Sequence, residues 1–202
     1  MKKTFLFKFG LGFFVLAPTF HACSGGGGGG AEQKIVSPVI AEPTQEEVIK
    51  QGEHLVTIMG CNDCHSPKQM GAKGPEIIAD RMLSGYPSDR PVIKFDSPLI
   101  KEGFSMFYPD LSAAGGPWGV SFAGNLTPDE SGIGNWTEEQ FKKALTEGKL
   151  KGLDTGRTLL PPMPWENYKS LTNDDVHAIY SYLKSIKPVK NIVPNPITPD
   201  KM

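Results

Sequence analysis

Cysteine is scarce in this 202-residue chain, which contains only Cys23, Cys61 and Cys64. Three thiols cannot supply a four-cysteine zinc site. A charge excess is also lacking, because 21 basic and 22 acidic residues give a net charge of -1 and no indication of a nucleic-acid partner. The apolar run from Phe9 to Phe20 is shorter than the about 20 residues of a membrane-spanning helix. The remaining composition is ordinary for a globular protein, so we expect one domain with tails.

The most informative stretch is Cys61-Asn62-Asp63-Cys64-His65. A C-x-x-C-H run is the attachment signal of c-type haem, in which two thiols add to the vinyl groups of one porphyrin. The histidine that follows directly is placed to give its imidazole to the iron. The spacing therefore predicts one covalently attached haem c.

Three other uses of such a stretch fit this sequence less well. A thioredoxin-like C-x-x-C lies beside a βαβ pattern, and none surrounds these residues. A structural zinc site needs four ligands, usually from two pairs. A plain disulfide between Cys61 and Cys64 leaves His65 without a role.

The N-terminus has the features of an export signal. Positive charge at Lys2 and Lys3, an apolar centre and a small residue at Ala22 predict a signal peptide over residues 1–22. Cys23 then resembles the lipidated first residue of a bacterial lipoprotein, and an incidental cysteine after a plain signal peptide is the alternative. We expect an exported protein on the periplasmic side of the membrane, anchored through Cys23. Glycines 25–30 predict a flexible tether within residues 23–43.

Two capping boxes and one further N-cap mark the helices of a domain that we place at residues 44–190, followed by a tail at 191–202. Thr44 with Glu47 begins the first helix, which Gly60 ends. Thr137 with Gln140 begins another, which Gly148 ends. Thr172 is the expected N-cap of a last helix that Pro188 prevents from continuing. The region between the first two helices suggests a short hairpin pairing residues 91–96 with residues 120–123.

This order of signals resembles the class I cytochromes c over residues 44 to about 188. The likeness is to bacterial monohaem members related to the haem domains of membrane-bound dehydrogenases. It implies an all-α cytochrome c fold, with helices wrapped around one covalently bound haem. The chain departs from the smallest family members in a long irregular insert at residues 71–124. The matching motifs are Cys61–His65, Gly74-Pro75, Gly132–Trp136, Ser121–Asp129 and Leu160–Trp165. In the family the first and last helices cross at a glycine and an aromatic, which Gly52 and Tyr180 or Tyr182 would fit.

The resemblance also implies roles for individual residues. His65 would be the proximal iron ligand, and the Pro75 carbonyl would accept its other ring N–H. Trp136 would donate its indole N–H to a haem propionate. Asn125 and Arg157 are further candidates for the propionate neighbourhood.

The distal ligand implied by the resemblance is Met163, which lies between prolines. Methionine in such a loop often fills a gap in the core. Met106, flanked by Phe104 and Phe107, is therefore the alternative ligand.

Iron bound by both histidine and methionine has no open position, which predicts an electron carrier that is not an enzyme. We expect it to carry single electrons between a dehydrogenase or quinol-oxidising complex and a terminal acceptor such as an oxidase. The alternatives are a haem-binding subunit of a dehydrogenase complex, and a haem sensor or peroxidase with a labile distal ligand.

Overall fold

The structure is a computed structural model that describes residues 42–92, 94–95 and 97–202. The predicted signal peptide (1–22), Cys23 and nearly all of the tether lie outside the described residues. Within them, helices are the main regular elements, as predicted, and two small antiparallel sheets accompany them. In chain order the elements are α1 (Gln45–Ile58), α2 (Cys61–His65), β1 (Lys68–Gly71), β2 (Gly74–Ile77), α3 (Ser97–Lys101), β3 (Met106–Phe107), β4 (Ala113–Gly116), β5 (Gly119–Phe122), α4 (Glu138–Glu147) and α5 (Asn173–Ser185).

Local sequence signals account for the three longer helices. Thr44, Thr137 and Thr172 each cap a helix and form reciprocal hydrogen bonds with the residue three positions on. These reciprocal bonds were predicted for Thr44 and Thr137, and at Thr172 they add to the predicted N-cap. Gly148 ends α4 in a left-handed conformation, φ 67°, which glycine adopts without steric cost. These three helix predictions are confirmed.

Helices α1 and α5 cross at Gly52, as the resemblance implied. A β-carbon at Gly52 would overlap the Ala178 carbonyl and press on the β-carbon of Tyr182. The aromatic at the crossing is therefore Tyr182. The apolar sides of α1, α4 and α5 share one core cluster with two loop residues; its buried members are Val56, Leu83, Ile133, Phe141, Leu145, Val176, Ile179, Tyr182 and Leu183.

The insert at residues 71–124 contains most of the strands. β1 pairs with β2, and β3, β4 and β5 form a three-stranded sheet in that order. Residues 120–122 are in a strand, as predicted, but β5 pairs with β4 in the register Ala113↔Phe122. The predicted hairpin between residues 91–96 and 120–123 is therefore wrong, because Pro117 and Trp118 give β5 a shorter connection to β4.

The segment predicted as a C-terminal tail packs on the domain. Asn191 is buried, and Ile197 exchanges two backbone hydrogen bonds with Val120 of β5, of 2.8 and 3.0 Å. No helix in the described part of the chain combines the length and apolar character needed to cross a membrane.

Candidate haem site

The Cys61–His65 run forms the short helix α2, which Gly60 separates from the end of α1. Cys61 and Cys64 are half-buried free thiols, and Cys61 packs against the core cluster. Burial raises the pKa of Cys61 to about 11 and also raises the pKa of Cys64. A redox-active C-x-x-C pair needs a lowered thiol pKa, so this environment disfavours a thioredoxin-like role.

The described residues also lack a zinc site. No group of three or more His, Cys, Asp or Glu side chains within residues 42–92, 94–95 and 97–202 could hold a metal ion. Among the described residues, His65, Cys61 and Cys64 therefore do not form a zinc site with a nearby carboxylate.

His65 is held in one orientation by a backbone carbonyl. Its Nδ1 lies 2.7 Å from the carbonyl oxygen of Gly124. A carbonyl can only accept, so Nδ1 carries the proton and Nε2 keeps its lone pair. Burial lowers the pKa of His65, and the hydrogen bond to Gly124 opposes that shift only in part. The neutral imidazole is the form that binds a metal.

Gly124 takes the place that the resemblance assigned to Pro75. Pro75 lies exposed in β2, paired with Met70 across the first sheet. The acceptor instead comes from the residue that follows β5 by two positions, because the end of the insert folds back over α2. The Pro75 prediction is therefore corrected to Gly124.

Met163 lies in a proline-rich loop at residues 160–164 and packs against the same core cluster as Cys61. The loop borders a cleft of about 420 Å³ that also includes Thr158, Leu159 and Trp165. A buried serine of β5, Ser121, donates a hydrogen bond of 2.6 Å to the Pro161 carbonyl. Met163 is thus half-buried at an open cleft.

The alternative ligand Met106 has a different setting. It lies in β3, opposite Gly115 of β4, and is not among the methionines that pack on the core cluster. Those methionines are Met59, Met82 and Met163.

Trp136 packs against the core cluster, and its backbone carbonyl accepts a hydrogen bond of 2.8 Å from Tyr180. Its indole N–H has no partner among the described residues and is not sealed from solvent. Arg157 is exposed and donates to the Thr158 carbonyl at 2.8 Å. Both side chains keep donors that a propionate could use.

Asn125 has a structural role, in contrast to the propionate role that the resemblance implied. Its side chain is buried and accepts hydrogen bonds from the backbone and hydroxyl of Thr127. Its amide nitrogen donates to the Val189 carbonyl at 2.8 Å. The side chain therefore joins the end of the insert to the C-terminal segment, and its polar atoms are already satisfied.

A charged network beside α2 was missed by sequence reasoning. The Lys68 ammonium lies 2.6 Å from the Asp63 carbonyl and 3.1 Å from the Asp110 carbonyl. The Asp110 carboxylate, almost fully buried, pairs with Arg90 at 2.9 Å and accepts two hydrogen bonds from Ser112. Nothing in the spacing of these residues indicates the contacts, because Lys68 and Asp110 are 42 positions apart.

These features fit a c-type haem on observations of the chain itself. His65 Nε2 has no hydrogen-bond partner among the residues that the structure describes, and both the thiol-bearing turn and the Met163 loop contact one apolar cluster. The donor set combines an imidazole with a thioether, as in histidine–methionine haem ligation.

A comparison with known families decides the question: the model of the family "Cytochrome c" matches residues 49–187. This chain belongs to the cytochrome c family. Its prosthetic group is therefore covalently attached haem c, and its helices form the cytochrome c fold with two small sheets added.

Several curated relatives of this cytochrome c are subunits of dehydrogenases. It is 30% identical over 151 residues to the cytochrome c subunit of the alcohol dehydrogenase (quinone) of Gluconobacter oxydans, covering 74% of this chain and 24% of the relative. It is 41% identical over 88 residues to the fructose dehydrogenase cytochrome subunit of Gluconobacter japonicus, covering 43% and 17%. It is 27% identical over 150 residues to the gluconate 2-dehydrogenase cytochrome c subunit of Pantoea cypripedii, covering 73% and 25%. The cytochrome c thus spans about a quarter or less of the length of these relatives.

Proposed function

We propose that this cytochrome c is a monohaem electron carrier with His65 and Met163 as the two axial ligands. The observation that carries the proposal is the hydrogen bond from His65 Nδ1 to the Gly124 carbonyl, which places the proton on Nδ1 and leaves the Nε2 lone pair to bind iron. Cys61 and Cys64 would form the thioether bonds. The haem supplies a one-electron change at iron, and the chain holds it with both axial positions filled.

The remaining site residues act on the periphery in this proposal. Trp136 donates its free indole N–H to a propionate, and Arg157 supplies a positive charge from the segment before the Met163 loop. The half-buried thioether of Met163 packs against the core cluster, which gives the ligand an apolar neighbour on that side. Apolar surroundings and the histidine–methionine pair both favour the less charged ferrous form. We infer that the protein transfers electrons and does not catalyse bond chemistry.

For its partners, we propose a dehydrogenase or quinol-oxidising complex as electron donor and a terminal oxidase or similar protein as acceptor. The names of the relatives support the dehydrogenase, since they are cytochrome subunits of alcohol, fructose and gluconate dehydrogenases. The predicted signal peptide at 1–22 and lipid attachment at Cys23 support export and anchoring on the periplasmic side.

A second function is favoured by the same relatives: a fixed haem subunit within one dehydrogenase complex. This chain covers only part of each relative, so a single haem domain would be one relay in such an assembly. Co-purification of a dehydrogenase with the cytochrome through gel filtration supports the fixed subunit. Reduction of the isolated cytochrome at a saturable rate by added dehydrogenase supports the mobile carrier.

The ligand assignment is tested by Met163→Ala, with Met106→Leu as the matched control. The purified holoprotein should carry one covalently added haem by mass analysis, and its ferrous form should resist carbon monoxide. Met163→Ala should bind carbon monoxide and lose the weak far-red band of sulfur-ligated ferric haem, because the sixth position opens. Met106→Leu should keep both properties.

Two results would contradict the proposal. Absence of covalent haem from the wild type would remove the carrier function altogether. Carbon monoxide binding by the wild type, unchanged in Met163→Ala, would favour the sensor or peroxidase with a labile distal ligand.

A further inference from the structure

One strand of the insert contacts both segments that carry the proposed axial ligands. Within β5, the Ser121 hydroxyl donates to the Pro161 carbonyl, two residues before Met163, at 2.6 Å. Two residues beyond β5, the Gly124 carbonyl accepts from His65 Nδ1 at 2.7 Å. The span from Ser121 to Gly124 therefore reaches from one ligand segment to the other.

The Ser121 contact matters because the Met163 loop has few polar ties of its own. Pro161, Pro162 and Pro164 have no backbone N–H, so they cannot donate to neighbouring segments. The Met163 N–H makes a long 3.3 Å bond to the Leu160 carbonyl within the loop. The Ser121 hydroxyl has one proton to donate, and it donates to the Pro161 carbonyl at 2.6 Å because its other acceptor, the Ala114 carbonyl, is farther away at 3.4 Å.

On the His65 side, Gly85 and Gly124 hold the ligand between them. The Gly85 N–H donates to the His65 carbonyl at 2.7 Å, and a β-carbon at Gly85 would collide with the backbone of Gly124. Gly85 also has φ 78°, which only glycine adopts readily. The two glycines are therefore packed directly against each other around His65.

Asn191 fastens this arrangement from the C-terminal segment. Its buried amide nitrogen donates to the carbonyls of Ser84 and Tyr86, the two neighbours of Gly85, at 2.6 and 2.9 Å. The Tyr86 N–H in turn donates to the Ala123 carbonyl at 2.9 Å. One side chain thus secures the residues on either side of Gly85 and, through Tyr86, the residue before Gly124.

We propose that the insert is a positioning element for both axial ligands, with Ser121 in the insert and Asn191 in the C-terminal segment as the two positioning residues. The Ser121 hydroxyl fixes the Met163 loop relative to β5, whose end carries the Gly124 acceptor of His65. Asn191 holds the residues on either side of Gly85 and so supports the Gly85–Gly124 contact that orients the imidazole. This inference rests on the proposed function. It assigns to residues 71–124 a task within the haem site.

The two positioning residues predict opposite shifts. In Ser121→Ala the loop loosens, so the ferrous fraction that binds carbon monoxide should rise at least about tenfold, and the ferrous-to-ferric ratio at a fixed ambient potential should fall. In Asn191→Ala the hydrogen bond to Nδ1 loosens and His65 becomes a weaker donor, so that ratio should rise, by about tenfold at most, with the far-red band retained. Redox titration and carbon monoxide titration of the purified holoproteins measure both.

Thr146→Val is the matched control. Thr146 is also buried and its hydroxyl bonds the Lys142 carbonyl within α4 at 2.9 Å, so its loss should leave both readouts at their wild-type values. Ser121→Thr keeps a hydroxyl and should restore the wild-type response to carbon monoxide.

The proposal would be overturned if folded Ser121→Ala behaved like the wild type in both titrations. It would also be overturned if the ferrous-to-ferric ratio shifted in the same direction in Ser121→Ala, Asn191→Ala and Thr146→Val. If either Ser121→Ala or Asn191→Ala does not accumulate as folded protein, the comparison of the other variant with Thr146→Val tests the proposal. A wild type without covalent haem would instead refute the proposed function, and that result is seen by mass analysis before any variant is made.

Discussion

At the scale of single residues, one lysine holds the turn that carries the attachment cysteines. The Lys68 ammonium contacts the carbonyls of Asn62, Asp63 and Ser66 at 3.4, 2.6 and 3.2 Å and also reaches the Asp110 carbonyl. It thereby satisfies carbonyls at the end of α2 and ties α2 to the insert. A positive charge at a helix C-terminus is also favourable to the helix dipole.

Lys68→Gln should lower the free energy of unfolding by about 1–3 kcal/mol, because hydrogen bonds to a charged donor are lost together. Urea unfolding of the holoprotein, followed by circular dichroism, measures the change. The matched control is Lys73→Gln, since Lys73 is exposed and has no hydrogen bond or ion pair to the described residues. Its effect should stay within about 0.5 kcal/mol. Equal losses in the two variants would contradict the role of Lys68.

The same scale shows what sequence can predict about the site. His65 and the two thiols are found from five consecutive residues. The partner of His65 is 59 positions away, and a backbone carbonyl has no side-chain signal, so Gly124 could not be found by pattern. Asn125 was placed near the propionates by resemblance, yet its amide is used by Thr127 and Val189. Such contacts depend on how the insert folds back.

At the scale of elements, the crossing of α1 and α5 depends on the missing side chain of Gly52. An alanine in a helix interior ordinarily gains about 1 kcal/mol over glycine. Here the added β-carbon would overlap the Ala178 carbonyl, which belongs to the backbone of α5 and has little freedom to move. Overpacking of this kind costs about 1–3 kcal/mol, so the unfavourable effect should outweigh the propensity gain.

Gly52→Ala should therefore destabilise the protein by up to about 2 kcal/mol net in urea unfolding. Gln51→Ala, at an exposed neighbouring position of α1, serves as control and should change the stability by no more than about 0.5 kcal/mol. A more stable Gly52→Ala protein would show that α1 and α5 separate at little cost.

The helices were predictable because their signals are local: a threonine cap, a partner three residues on and an apolar stripe. The strands of the insert were not, since most are of two to four residues and their pairing is set by distant contacts. The predicted pairing of residues 120–123 with 91–96 failed for that reason. Val120 and Ser121 do lie in a strand, but that strand pairs with β4 through the turn at Pro117 on one side and with Ile197 on the other.

At the scale of the whole molecule, the ion pair of Arg90 and Asp110 joins distant parts of the insert. The Asp110 side chain is 5% exposed, and the Arg90 guanidinium also lies over the rings of Tyr86 and Tyr108. Burial raises the pKa of Asp110, but hydrogen bonds from Arg90, Ser112 and Lys68 outweigh it, so the pKa lies below its usual value. The ionised form is therefore favoured in the folded protein.

This lowered pKa predicts a stability that depends on pH. The contribution of Asp110 is fully present above the unfolded-state pKa of about 3.9 and is lost as pH falls through the lower folded-state value. Urea unfolding of wild type should thus show a steeper loss of stability below about pH 4 than Asp110→Asn does. At neutral pH Asp110→Asn should already be less stable, because the half-buried Arg90 loses its counter-charge.

Asp154→Asn is the control for this experiment. Asp154 pairs with Lys143 at 2.8 Å, but its side chain is 83% exposed, so the pair should contribute little. Its variant should follow the wild-type pH profile. Parallel profiles for wild type and Asp110→Asn would show that the ionisation of Asp110 does not support the insert.

The packing of residues 189–197 against the insert has a consequence for the order of assembly. A chain is synthesised from its N-terminus, so α2 exists long before Asn191 and Ile197 are made. Until that later segment is made, the hydrogen bonds of Asn191 to the carbonyls of Ser84 and Tyr86, on either side of Gly85, cannot form. The Gly85–Gly124 contact beside His65 therefore gains its last support from a segment that follows α5 in the chain.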